Sequence, residues 1–214
     1  ELGVALVDIG STLSSLSIFY NGTILFTKII PLGGNMITND ISRIFSLSIV
    51  DSERIKIING QLIEELENSL SIIEVDALGN DNDSVEITRK DLISVIKSRV
   101  KEIINTLKEH ILESGYNHLI ANRVVITGGT SQMDGLIDIT STIIEKRARL
   151  GRSSVIKGIP DNMRSSSFSA INSLLTYSII NNNDISVKNN IKSNNSEGLY
   201  SYLIKFKNWI LENF

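Results

Sequence analysis

The sequence contains no cysteine, which excludes disulfides and thiolate metal sites and is compatible with a reducing compartment. No apolar run reaches the roughly 18–20 residues that cross a bilayer as a helix, and no secretory signal stands at the start. Proline occurs twice and tryptophan once. Alanine is scarce, 5 residues against 36 isoleucines. With Asn and Lys plentiful, that bias points to AT-rich codons and carries no functional signal. An excess of one charge is lacking too: 21 Lys and Arg face 24 Asp and Glu, a net −3, which argues against nucleic acid as a partner. His110 and His118 have no carboxylate or thiol cluster at ligand spacing, so no metal is expected. No nucleophile–base set is visible. What is present is 214 residues, 42% hydrophobic, enough for one domain with a real core or for two small lobes.

Residues 3–9 (GVALVDI) have the apolar density of a buried strand. Leu16–Phe19 and Thr23–Ile30 read as two more strands. Asn21-Gly22 between them is a hairpin signal, so the chain opens with a three-stranded meander. Because Glu1 rather than Met precedes this strand directly, further sequence N-terminal to it is expected. Gly33-Gly34 breaks the strand. A helix over 35–46 follows, with Ile37, Ile41 and Ile44 on one face. A second runs from an Asp51 N-cap to Ile58 and ends at Asn59-Gly60. Ser71–Ala77 and Ser84–Thr88 read as strands around GNDND. Thr88-Arg-Lys-Asp91 resembles a capping box, and the helix it opens has apolar residues at 93, 96, 100, 103, 107 and 111. Arg123–Thr127 is a buried strand ending in Gly128-Gly129, with helices near 134–147 and 167–181. Residues 181–197 hold seven Asn and cannot bury a core, which reads as a disordered linker.

Five segments, in this order and spacing, resemble the bacterial cell-division family FtsA: VALVDIG (4–10), IIPLGGNMITNDI (29–41), SERIKIINGQL (52–62), VVITGGTSQMDGL (124–136) and FKNWILENF (206–214). The resemblance implies an α/β fold, an actin-like (RNase H-like) lobe with a small inserted α+β lobe, then a disordered linker and a terminal amphipathic helix. The expected parts are lobe 2A over 1–60 and 120–181, lobe 2B over 61–119, the linker over 182–197 and the helix over 198–214. The first half of the fold, lobes 1A and 1C, is expected to be absent.

In actin-like ATPases the turn after the first strand cradles phosphate with a pattern similar to D-x-G-G-G-T-x-D. Here it reads DIGSTLSS (8–15). Asp8 and Gly10 remain, while Ser11, Thr12, Leu13 and Ser15 replace two Gly, a Thr and an Asp. Two readings stand: a plain hairpin turn, or a working phosphate loop. Gly128 and Gly129 match a Gly-Gly that approaches adenosine, and Glu53 with Lys56 matches an E-x-x-K pair facing ribose and base. The bland readings are a strand-to-helix turn and a solvated i,i+3 pair. The resemblance implies ATP as a ligand of a full-length protein. For this chain alone no nucleotide and no enzymatic turnover are expected.

The resemblance also implies partners. In the family the 2B lobe binds the C-terminal tail of FtsZ. Arg99 falls where the family has an Arg in V-I-x-x-R that could pair with a tail carboxylate, with Lys97 a further basic candidate two residues before it; the bland reading is a solvated charged face. Other division proteins and self-association are further implied partners. On a wheel, Leu199, Leu203, Phe206, Ile210 and Phe214 fall within about 80°, with Trp209 at the border. That is the pattern of a helix lying in a membrane interface; the resemblance implies the cytoplasmic face of the inner membrane. A 16-residue coil before it spans roughly 20–24 Å. The expected function is a membrane tether for FtsZ filaments. The alternatives are an ATP-binding actin-like ATPase, a PilM-type pilus-assembly homologue lacking the terminal helix, and a sugar-kinase relative.

Overall fold

A computed structural model describes residues 3–63, 71–76, 84–151 and 158–181. The chain divides into two compact units, residues 1–174 and 175–214. In the first, strands β1 (Gly3–Ile9), β2 (Ser14–Tyr20) and β3 (Thr23–Ile30) form the expected meander. Asn21 and Gly22 both have positive φ, 49° and 73°, the two-residue turn whose twist suits a hairpin. β1 pairs in parallel with β6 (Ile120–Thr127), and β6 in parallel with β7 (Arg147–Leu150). The sheet order is therefore β3-β2-β1-β6-β7, while β4 (Ile72–Asp76) and β5 (Ser84–Thr88) form a separate two-stranded sheet.

Alternation along the strands buries one face of the large sheet: Ala5, Val7 and Ile9, Leu16 and Ile18, Val124 and Ile126, and Ala148. Helices α1 (Gly34–Phe45), α3 (Arg89–Glu113) and α4 (Leu136–Ile144) share one apolar cluster with it. All six expected stripe positions of α3 are buried, joined by Leu92 and Ile104. Its first turn is capped as the sequence indicates, with Thr88 Oγ1 accepting from the Asp91 amide at 3.1 Å. α2 spans Ile49–Asn59 and α5 spans Ser169–Asn181.

Three local expectations are corrected. Ile44 is exposed, because only Ile37 and Ile41 of the three enter the core cluster. The cap of α2 is Ser48, whose hydroxyl accepts from the Asp51 amide at 3.0 Å. Asp51 is thus the third helical residue, reaching back to the cap. The helix expected over 134–147 ends at Ile144, because Glu145 adopts φ 58° and Arg147 already starts β7. The expected linker over 182–197 and helix over 198–214 lie outside the described residues, and with them Leu199, Leu203, Phe206, Trp209, Ile210 and Phe214. Among the described residues no helix is long and apolar enough to cross a membrane.

Candidate functional site

The carboxyl ends of β1 and β6 face the start of α1 and one side of α2. Between them lies a cavity of about 500 Å³, lined among others by Ser11, Gly34, Glu53, Lys56, Gly129 and Asp134. Clefts at strand carboxyl ends are where open α/β sheets bind ligands. Lys56 and Glu53, one turn apart on α2, meet at 2.6 Å. The Lys56 ammonium also donates to Thr38 Oγ1 at 2.9 Å and to the Gly34 carbonyl at 3.2 Å. Thr38 Oγ1 in turn bonds Glu53 Oε2. Lys56 is therefore saturated and only 11% exposed, while Glu53 keeps 40% of its side chain open to the cleft. Burial pushes the Glu53 carboxyl up. The hydrogen bonds from Lys56 and Thr38 and the Lys56 charge outweigh that and leave its pKa below the ordinary value.

Gly128 sits at φ 90°. A side chain there would meet the Ile9 carbonyl at 2.4 Å and Asp8 Oδ1 at 2.5 Å, so this position requires glycine on both backbone and space. At Gly129 a Cβ would meet only Ser167 Oγ, at 3.9 Å; the space above it belongs to the cleft. The β1–β2 turn is stitched to α1: Gly10 O accepts from the Gly34 amide at 2.9 Å and from Thr130 Oγ1 at 3.1 Å, and Ser11 O accepts from the Asn35 amide at 2.7 Å. Toward α1 the turn thus offers carbonyl acceptors. Its tip, Ser11, Thr12 and Leu13, is exposed and uses no positive φ. Asp8 lies behind the turn against Gly128, and burial raises its carboxyl pKa.

The structure thus brings Glu53, Lys56 and Gly129 into one cleft; Gly10 touches it only through its carbonyl bonds to Gly34 and Thr130, and Asp8 and Gly128 are not among its lining residues. Thr38 and Thr130 were not singled out in the sequence. Thr38 could have been found only from its place four residues after the Gly34 that opens α1. Arg99 and Lys97 stand outside the cleft on α3. Arg99 is not a solvated charge: it bonds both oxygens of Asp40 on α1, at 2.6 and 2.9 Å, and Glu102 at 2.5 Å. The side chains of Arg99 and Asp40 are 17% and 12% exposed.

A sheet of this order, with its cleft at the ends of β1 and β6, defines a lobe of the actin-like ATPase fold. MreB5 of Spiroplasma citri bound to ADP superposes with a TM-score of 0.62 at 15% identity, covering 86% of this chain and 56% of that one. A PilM–PilN type IV pilus biogenesis complex gives 0.58 at 16% identity, over 82% and 46%. Within that class the chain belongs to the FtsA family: the family described as Cell division protein FtsA matches residues 5–173. The Pseudomonas aeruginosa FtsA is 33% identical over 217 aligned residues, covering 100% of this chain and 52% of that protein. The Agrobacterium fabrum FtsA is 30% identical over 83% of this chain and 40% of that protein. The chain spans about half the length of the curated relatives it matches.

Proposed function

We propose that this chain tethers filaments of the division protein FtsZ to the membrane, through its terminal amphipathic segment on one side and α3 on the other. The observation that carries this reading is the reach of the similarity. The alignment to the Pseudomonas division protein covers the whole chain, the segment FKNWILENF included. An acidic FtsZ tail would meet Arg99 at its Nη1 side. That side is held by Glu102, whose side chain is 52% exposed, so a tail carboxylate can replace Glu102 without breaking the Asp40 fork. The test is co-sedimentation of FtsZ with vesicles carrying the chain. Recruitment that needs both the FtsZ tail and the chain is expected, and recruitment indifferent to either overturns the reading.

The cleft favours a second role, holding the adenosine end of a nucleotide. Glu53 is open to accept from a ribose diol, Lys56 fixes its orientation, and Gly129 leaves room for a flat group. A bound nucleotide would bring phosphate charge toward the β1–β2 turn, which directs the Gly10 and Ser11 carbonyls, acceptors and not donors, toward α1, and where the Leu13 side chain has nothing to donate. The adenosine end fits and the phosphate end fits poorly. We therefore assign this chain a binding role without turnover, with affinity for ATP no better than about millimolar. Titration with a fluorescent ATP analogue and magnesium checks it; micromolar binding, or phosphate release lost on Asp8→Ala, reverses the assignment.

A further inference from the structure

β6 and β7 run parallel at the edge of the sheet, and their register sets Arg123 beside Arg147 and Val125 beside Arg149. Residues two apart on a strand share a face. Arg123, Arg147 and Arg149 therefore stand together, on the face opposite to the one where Val124, Ile126 and Ala148 are buried. All three arginines are exposed. Neighbouring strands lie about 4.8 Å apart, and alternate residues about 6.6 Å, so the three stems rise from one small patch. Arg123 next to Arg147 is a like-charge cross-strand pair, which costs stability. Among the described residues none of the three has an ion pair, and Arg149 makes its one hydrogen bond to the Leu150 carbonyl. Arg43, Arg54, Arg99 and Arg164, by contrast, each meet an aspartate. The fold thus tolerates a repulsive cluster here, while four of the other five described arginines meet an aspartate and Arg89 bonds Ser71.

The shape of the site narrows its ligand. None of the three arginines lines the cleft or the smaller cavity of about 140 Å³ beside Lys108 and Lys146. Three exposed guanidinium groups on one sheet face, outside both cavities, suit an extended anionic surface better than an enclosed free anion. The terminal segment supplies the other half of the case. Within 198–214 it carries Lys205 and Lys207 against Glu212, so its hold on a bilayer is apolar and nearly without charge. One weak anchor binds membranes marginally, and a basic patch is a common second signal.

We propose that Arg123, Arg147 and Arg149 form a second membrane contact, which pairs their guanidinium forks with the phosphates of anionic phospholipid headgroups. The proposal rests on the tether reading and adds lipid selectivity to it. The test is flotation of the full chain on phosphatidylcholine vesicles with and without phosphatidylglycerol, at low salt. Basic residues near an anionic surface contribute about fivefold each. Wild type is therefore expected to prefer the anionic vesicles by about 100-fold, a preference lost in R123A/R147A/R149A, largely kept in the triple lysine variant and erased by about 0.5 M salt. The single variant Arg147→Glu, at an exposed position, should lose at least about fivefold whatever the folding of the triple. An alanine triple that keeps the preference overturns the proposal. So does a wild type with no preference, or capture of poly-glutamate through these arginines without one. The tether reading fails separately, if Trp209→Glu floats on neutral vesicles as well as wild type does.

Discussion

Arg99 on α3 and the three arginines at the β6–β7 edge carry the same guanidinium in opposite settings. Arg99 is mostly buried and its fork is closed by Asp40, so its charge is spent inside the fold, joining α3 to α1. Arg123, Arg147 and Arg149 stand exposed on one face, with no counter-charge among the described residues. The same division holds around the cleft, where Lys56 is enclosed by Glu53, Thr38 and the Gly34 carbonyl. A charge whose partner the fold supplies holds elements together. A charge left unpaired beside its like weakens the fold and is free to serve an outside ligand. That distinction sets opposite expectations for mutation, and the largest concern the paired groups.

Asp40→Ala should cost about 2–3 kcal/mol, because it strands a mostly buried guanidinium. For a chain of this size that lowers Tm by roughly 5–10 °C, which calorimetry will read. Arg99→Lys should recover little, since an ammonium cannot close the bidentate fork. A loss under about 0.5 kcal/mol for Asp40→Ala would move Arg99 into the class of free charges. Thr38→Val keeps shape and removes the hydroxyl shared by Glu53 and Lys56. About 1 kcal/mol is expected in urea denaturation, most of it restored by Thr38→Ser.

The contrast between paired and free charge was not legible in the sequence, although most of the scaffold was. The α3 stripe, the Asn21-Gly22 hairpin and the GVALVDI strand announce themselves, because burial and turn geometry act through residues near one another in the chain. β7 is silent, since only Ala148 of Arg147–Leu150 faces the core, and a four-residue strand with one small inward residue has no period to detect. With β7 hidden, the arginine patch was hidden as well: Arg123 and Arg147 are neighbours only through the β6–β7 register. The sequence offers Arg99 as a tail contact or a solvated charge and hides its internal pair, because Asp40, its partner, lies 59 positions earlier. In the cleft, Glu53 and Lys56 were visible as a local pair. Thr38, which holds both, comes from another helix.

Acid should loosen the paired set in a defined direction. The Glu53 carboxyl has a folded-state pKa below its ordinary value of 4.5. Its contribution is therefore fully present above that value, and is lost as pH falls through the lower folded-state pKa. The stability difference between wild type and Glu53→Gln should hold from neutral pH down to about 5 and then shrink toward zero. Solvent around this half-open side chain keeps the whole effect small. A difference that grows on acidification would mean the carboxyl is held neutral, and that the Lys56 pair is not what orients it.

The smallest predicted effect on stability is also the one with the reversed sign. Arg147→Thr removes one member of the Arg123–Arg147 pair and puts a β-branched residue on an edge strand. Exposed like charges directly across a strand pair repel by a few tenths of a kcal/mol, and Thr fits a strand at least as well as Arg. The variant should therefore be about 0.3–0.5 kcal/mol more stable than wild type at low salt, and the gain should vanish near 0.5 M salt, where the Debye length falls to a few ångströms. The same change should lower partition onto phosphatidylglycerol vesicles about fivefold. Stability up and binding down from one substitution is what a charge kept for an external partner gives. Were Arg147 paired within the fold, as Arg99 is, Thr would cost more than about 1 kcal/mol and salt would not restore it. Paired denaturation and flotation measurements on this one variant decide between the two settings.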